Sequence, residues 1–218
     1  MGADPLNRQT SKINTQSKVN GKSFGKEQIN MSLPTILSYI ISDLQNSPNR
    51  EAAYQVLDNA CLKVDGFKAL DVNVFNYKGY QLLATLQMYA EPVAKKLLLA
   101  NELNVRALPQ LIENINIGNE INVLVTHQAG CEDKTLIPYS EVRKQITPNA
   151  KTQFLKDIEA LASYNLIHKQ ASRGTDSWLV NPVTGEIHLS SWDALQETNN
   201  SQEKRESIQA IKNHLNKP

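Results

Sequence analysis

Cysteine is scarce in this chain of 218 residues, which has two, Cys61 and Cys131. The first falls on a helical pattern and the second in a polar loop, with no CxxC motif and no histidine cluster beside either. The pattern therefore excludes a disulfide framework and a cysteine-rich zinc site. Free thiols fit a reducing compartment, so we expect a cytoplasmic protein.

Long hydrophobic runs and an excess of one charge are also missing. The most apolar stretches, near 36–44 and 97–100, carry polar residues at helical spacing and fall short of the roughly 20 residues of a membrane span. Charges nearly cancel, with 23 Lys and Arg against 22 Asp and Glu. These features predict no membrane association and make nucleic acid an unfavoured partner.

The composition changes along the chain and predicts three segments. Residues 1–30 are almost all polar, with neither a periodic apolar face nor the apolar core of a secretory signal peptide, and we expect them to be disordered. Their Asn, Gln and Ser content resembles that of leaders of bacterial effectors delivered into host cells. Residues 31–195 form the predicted domain, and 196–218 a tail with a marginal helix at 201–215. Met31 is a candidate second start.

The predicted domain opens with a helical pair. Leu33, Ile36, Leu37, Ile40, Ile41 and Leu44 recur at helical spacing, with Ser32 as the cap and Pro34 in the first turn. Asn46-Ser-Pro-Asn49 ends this helix. A second helix follows through Ala53, Val56, Leu57, Ala60 and Cys61.

Strands and helices then alternate without an internal repeat, which predicts an α+β class. Two strands, 69–75 and 80–86, flank a turn at 76–79, and a helix follows at 91–103 with Pro92 at its start. Residues 111–117 and 121–125 form a strand pair around Gly118-Asn119. A short helix at 139–145 precedes a longer one that begins at Thr147-Pro148. Two short strands lie within 178–189, with Trp178 as a core anchor.

The order of these elements resembles the protein-kinase-like fold over residues 80–195. It is carried by Leu108-Pro109-Gln-Leu-Ile, the Gly118-Asn119 turn, Val123-Leu-Val-Thr-His-Gln-Ala-Gly130, Tyr164-Asn-Leu-Ile-His168 and Trp178-Leu-Val-Asn-Pro…Gly185-Glu-Ile-His-Leu-Ser-Ser-Trp192-Asp193. The resemblance implies a minimal two-lobed fold, preceded by the N-terminal helical pair and flanked by disordered tails. The helix at 91–103 corresponds to the C helix, residues 111–125 to the fourth and fifth strands, and 127–130 to the hinge. The two later helices correspond to the D and E helices.

The same resemblance locates the catalytic positions, and the chain departs from several of them. His168 matches the catalytic-loop histidine, but Gln170 stands at the catalytic Asp and Ser191 at the Asp that binds Mg²⁺. An amide accepts no proton at neutral pH, and a hydroxyl is a weak Mg²⁺ ligand beside a carboxylate. The family's phosphate-holding Lys has no counterpart on the strand 80–88. For nucleotide binding the candidates are Lys95, Lys96 and, in the hinge, His127.

Two acidic residues keep an active alternative open. Asp176 lies in a loop that is longer than usual and approaches the position of the family's metal-binding Asn, while a small shift of alignment promotes Asp193 to a metal ligand. The catalytic candidates are therefore Asp176, Asp193 and His168, and the metal candidate is Asp193. ATP and Mg²⁺ are implied only if this alternative holds.

Three functions follow from these patterns. The first is a degenerate kinase-like module, or pseudokinase, that binds or regulates a protein. The second is an atypical active protein kinase. The third is a winged-helix DNA-binding protein, because residues 157–180 also resemble the last helix and wing of that fold, with Lys169 and Arg173 available for phosphates. Both signs of charge on that helix and the unexplained strands at 111–125 speak against the third.

Overall fold

The computed structural model describes residues 33–128, 136–190 and 194–217, of which those from Pro34 onward belong to one compact unit. The helices are α1 (Thr35–Gln45), α2 (Arg50–Lys63), α3 (Gln87–Glu102), α4 (Tyr139–Val142), α5 (Pro148–Ser163), α6 (Lys169–Arg173) and α7 (Ser201–Asn216), with a 3₁₀ turn at Arg143–Gln145. The strands are β1 (Phe67–Asp71), β2 (Val74–Tyr77), β3 (Tyr80–Leu86), β4 (Gln110–Ile117), β5 (Ile121–His127), β6 (Ile137–Pro138), β7 (Leu166–His168), β8 (Trp178–Val180), β9 (Ile187–Leu189) and β10 (Leu195–Glu197). The predicted mixture of helix and sheet is confirmed. The predictions on residues 1–30, Met31, Ser32, Cys131, Ser191, Trp192 and Asp193 lie outside the described residues.

An antiparallel sheet of five strands in the order β1-β2-β3-β5-β4 forms the first half of the fold. The predicted strand pair around Gly118-Asn119 is confirmed as β4 and β5, with Ile117 paired to Ile121. Both turn residues have a positive φ of 59°, as the tight turns of hairpins require. A β-carbon on Gly118 would lie 2.9 Å from the Pro48 carbonyl oxygen, so this turn also packs closely on the α1–α2 connection.

Both faces of this sheet are covered. Every residue of β5 is buried, which an antiparallel strand shows only when something packs on each side. One face, with Leu83 and Leu124, packs against α3. The helix α1 packs against β4 through the stripe that its sequence predicts, with Leu37, Ile40, Ile41 and Leu44 buried.

A single hydrophobic cluster joins the sheet to the second half of the fold. It contains Leu97 of α3, Leu124 of β5, Phe154 of α5, Trp178 of β8 and Ile211 of α7. Because α5 and the β8–β9 hairpin share this core with α3 and β5, they do not form a free-standing winged-helix domain. The predicted role of the β8 tryptophan as a core anchor is confirmed, since its ring is fully buried among its neighbours.

The C-terminal helix belongs to this core. The predicted marginal helix of the tail is α7, which buries Ile211 and Leu215 and packs against α5 and α6. Lys212 pairs with Glu159 of α5 at 3.0 Å, and Lys151 donates to the Leu215 carbonyl. Ile208 packs against the same core, so three apolar residues on one face dock a helix whose other residues are mostly polar.

Two of the element boundaries predicted from the sequence were wrong. The predicted strand 69–75 is split by a turn at Val72-Asn73, in which the Asp71 side chain accepts a hydrogen bond from the Val72 amide at 2.7 Å. The helix α3 begins at Gln87, so Pro92 lies inside it and not at its start. Neither boundary carries the glycine or proline signal on which the prediction relied.

Among the described helices, none is long and apolar enough to cross a membrane.

Candidate functional site

His168 lies at the junction of β7 and α6 and is nearly fully buried. Its Nδ1 accepts a hydrogen bond from the Ala171 amide at 3.1 Å and so caps α6. Because Nδ1 is the acceptor, Nε2 carries the proton, and Nε2 lies 2.9 Å from the Ser190 carbonyl oxygen. The ring therefore ties the start of α6 to the segment that follows β9, with both nitrogens engaged.

A cavity of about 300 Å³ opens beside this junction, and we call it the α6 cavity. Ser190 is held at its wall because its amide and its hydroxyl both donate to the Ser177 carbonyl, at 2.9 and 3.2 Å. The Ser177 hydroxyl is buried and has no hydrogen-bond partner. The lining consists of Gln170, Arg173, Gly174, Asp176, Ser177 and Ser190.

The α6 cavity offers amide, hydroxyl and guanidinium groups but a single carboxylate, that of Asp176. The charges of Arg173 and Asp176 cancel, so the lining has little attraction for Mg²⁺, which binds through carboxylates and phosphates. Within the described ranges, no group of three His, Cys, Asp or Glu side chains could hold a metal ion. Asp193, the metal candidate, lies outside those ranges.

The two candidate lysines lie elsewhere, on α3. The Lys96 ammonium donates to the Leu195 carbonyl at 2.6 Å and thereby holds β10 against α3. Lys95 and Lys96 line a second cavity of about 370 Å³, the α3 cavity, together with Tyr164, Asn165, Glu197 and Thr198. The α3 and α6 cavities share no lining residue, so these lysines and Asp176 are not brought together in one cavity.

His127, the hinge candidate, is the last residue of β5 and is buried. It pairs across the strands with Tyr80, and the two rings lie 4.5 Å apart between centroids. Residues 129–130, the rest of the predicted hinge, lie outside the described residues.

The loop between α3 and β4, residues 103–109, is anchored by two buried titratable residues that the sequence analysis missed. Asp157 of α5 accepts a hydrogen bond from the Ala107 amide at 2.7 Å and another from Gln153 at 2.7 Å. His188 of β9 donates through Nδ1 to the Arg106 carbonyl at 3.0 Å. Burial raises the pKa of Asp157 although these hydrogen bonds oppose it, and burial lowers the pKa of His188.

A second contact fixes the same loop, because the Leu189 amide donates to the Ala107 carbonyl at 2.7 Å. The loop can turn back because Asn104 takes a left-handed conformation, with φ of 56°, where α3 ends. The only available signal for Asp157 was its place on the buried stripe of α5, where a charge is unexpected. The loop that follows α3 is thus held in place by residues of α5 and β9.

No protein-family model and no curated protein matches the chain. Among solved structures it is similar to the kinase PK-1 of Cydia pomonella granulovirus, with 9% sequence identity and a TM-score of 0.44. The match covers 67% of this chain and 58% of that one, so the chain spans less than two thirds of that structure. A likeness at this level assigns neither a family nor an activity.

Proposed function

We propose that this chain is a degenerate, two-lobed kinase-like module, a pseudokinase that acts through contact with a protein. The elements support it because they occur in the order that the resemblance requires. The helix α3, in the place of a C helix, follows β3 and precedes β4 along the chain, and it packs on the sheet. The D and E helices correspond to α4 and α5, and the hairpin after the catalytic loop corresponds to β8 and β9.

The observation that carries the proposal is the lining of the α6 cavity. Phosphoryl transfer by a protein kinase needs a carboxylate that accepts the proton of the substrate hydroxyl and a second carboxylate that holds Mg²⁺. By the sequence resemblance Gln170 stands at the first position, and it lines this cavity. Ser190 is at the wall immediately before the second position, which Ser191 occupies in the sequence. The charges on which the rate depends are absent from both matched positions.

The short segment between Ser190 and α7 supports the same proposal. In protein kinases an activation loop follows the metal-binding motif and, when ordered, helps to assemble the active site. Here residues 191–200 include β10, which pairs with β7, and Asn200, whose side chain caps α7. This leaves little chain for a separate activation loop.

One observation favours the active alternative. Asp176 is the one acid among the described residues that line the α6 cavity, so its carboxylate is the one that a bound nucleotide and metal would meet there. An atypical kinase would combine it with Asp193.

Cytoplasmic location and delivery into a host cell are proposed from composition alone.

The two functions are separated by incubating the purified chain with γ-labelled ATP, Mg²⁺ and a cell lysate. We expect no incorporation of label and no rise in thermal midpoint with Mg²⁺ and ATP. Asp58→Ala, a substitution of an exposed acid on α2, is the matched control for Asp176→Ala and Asp193→Ala. Incorporation that survives in the control but disappears in either of the other two variants contradicts the pseudokinase and establishes the atypical kinase.

A further inference from the structure

Arg143, in the 3₁₀ turn after α4, has an unpartnered guanidinium edge. Its Nε and Nη2 atoms are both buried and have no hydrogen-bond partner. The hydroxyl of Tyr139, one helical turn earlier on α4, is also buried, and its oxygen has no partner at good hydrogen-bond geometry, although the Arg143 side chain lies close enough to lower its pKa. The three ion pairs found among the described residues join other side chains, and the nearest acid along the chain, Glu141, is exposed.

The Arg143 nitrogens are donors only, and the Tyr139 hydroxyl can both donate and accept. A guanidinium accepts no hydrogen bond. The Tyr139 hydroxyl stays protonated, because burial raises its pKa more than the charge of Arg143 and a hydrogen bond from the Arg143 side chain lower it. The indole nitrogen of Trp178, whose ring lies 5.1 Å from that of Tyr139, is a further buried donor without a partner. The group therefore carries a positive charge and an excess of N–H and O–H bonds over acceptors.

The missing partner is defined by this chemistry. Leaving a buried charged donor without an acceptor is among the more costly defects of a folded protein. The Nε–Nη2 edge of a guanidinium is the fork that binds a carboxylate or phosphate with two parallel hydrogen bonds. Arg143 as a whole is only half-buried, so this edge lies close beneath the surface, and an anion reaches it when the side chains that cover it move aside.

We propose that Arg143 and Tyr139 form a binding site for one oxyanion, a phosphate or a carboxylate group. The guanidinium holds two oxygens side-on, and the Tyr139 hydroxyl donates to one of them. This site is separate from the α6 cavity and does not depend on the proposed pseudokinase function.

The test measures the thermal midpoint of the full chain against increasing phosphate, with chloride replaced so that ionic strength stays constant, and then repeats the titration with acetate. We expect the midpoint to rise by about 5–10 °C at a phosphate concentration of about 100 times the dissociation constant. A rise with phosphate alone identifies a phosphoryl ligand, and a rise with acetate identifies a carboxylate ligand. Equal midpoints in phosphate, acetate and chloride overturn the proposal and leave water as the occupant.

Variants assign the effect to the site. Arg143→Met should abolish the rise in thermal midpoint. Arg143→Lys keeps the charge but loses the paired N–H donors of the guanidinium, and it should weaken anion binding at least about tenfold. Tyr139→Phe removes one donor and should weaken binding about fivefold. Lys144→Met removes the same charge from the next, exposed residue and should leave the titration unchanged. A rise that persists in Arg143→Met overturns the proposal. If that variant does not fold, unchanged binding in Arg143→Lys and Tyr139→Phe together has the same meaning.

Discussion

Replacing Asp157 by Ala should destabilise the protein by about 2 kcal/mol. The substitution removes the acceptor of two hydrogen bonds, from the Ala107 amide and from Gln153. Gln153 is half-buried and can turn to water, but Ala107 is fully buried, so its amide stays unpaired at a cost of about 1–3 kcal/mol. Burial disfavours the charged form of Asp157 in the folded protein. Removing the carboxylate therefore recovers part of the lost stability.

The loss corresponds to a decrease of about 4–8 °C in thermal midpoint for a domain of this size. Asp157→Asn keeps an acceptor oxygen and should lose less than half as much. Glu159→Ala, on the same helix, removes an exposed carboxylate whose pair with Lys212 is worth at most about 1 kcal/mol, and it serves as the control. A midpoint for Asp157→Ala that equals that of Glu159→Ala would refute the anchoring role of this carboxylate.

The pH dependence provides a second check on the same residue. Because its pKa is higher in the folded than in the unfolded chain, the folded state binds the proton more readily in the window above the ordinary value. In that window the contribution of Asp157 to stability falls as pH rises. Urea unfolding of the wild type and Asp157→Asn between about pH 3.5 and 6 should show this difference in slope. Parallel curves would contradict it.

Three further outcomes follow from the structure. Because burial lowers the pKa of His188, stability should rise with pH over the window just below the ordinary value, and urea unfolding of His188→Gln should show a flatter profile there. Gly118→Ala should lower the free energy of unfolding by more than about 1 kcal/mol, because φ is positive there and the new methyl group meets the Pro48 carbonyl. Gly174→Ala, which has open space around it, should unfold at the wild-type midpoint. A chain that starts at Met31 should keep its thermal midpoint within a few degrees, because residues 1–30 carry no periodic apolar face; a larger decrease would show that they contribute to the fold.

The elements that could be predicted from sequence are those whose signals are local. The stripe of α1, the start of α5 at Thr147-Pro148 and the Gly118-Asn119 turn each depend on residues a few positions apart, and the structure contains all three. The turn at Val72-Asn73 was missed because the strand-forming residues on both sides of it predict one continuous strand, although Asn73 is a common turn residue. It is held by the Asp71 side chain and by the Ala84 amide of a later strand, which donates to the Asn73 carbonyl.

The candidate site could be predicted only in part, because some of its contacts join residues that are far apart in the sequence. His168 and Asp176 were singled out from a resemblance along the chain, and Asp176 lies in the α6 cavity. Ser190 enters the same cavity because of its hydrogen bonds to the Ser177 carbonyl, a pairing between strands that no local pattern indicates. The burial of Asp157 likewise depends on a backbone amide that is 50 residues away along the chain.

The loop between α3 and β4 has a consequence for the dynamics of the whole fold. The amides of Ala107 and Leu189 are bonded across segments far apart in sequence, and both residues are buried. Such amides exchange their hydrogen with solvent only when the segments that they join separate. They should therefore be among the slowest to exchange and should report the same opening free energy. This would make α3, α5 and β9 one cooperative unit, in which α3 cannot swing away while the other two stay folded.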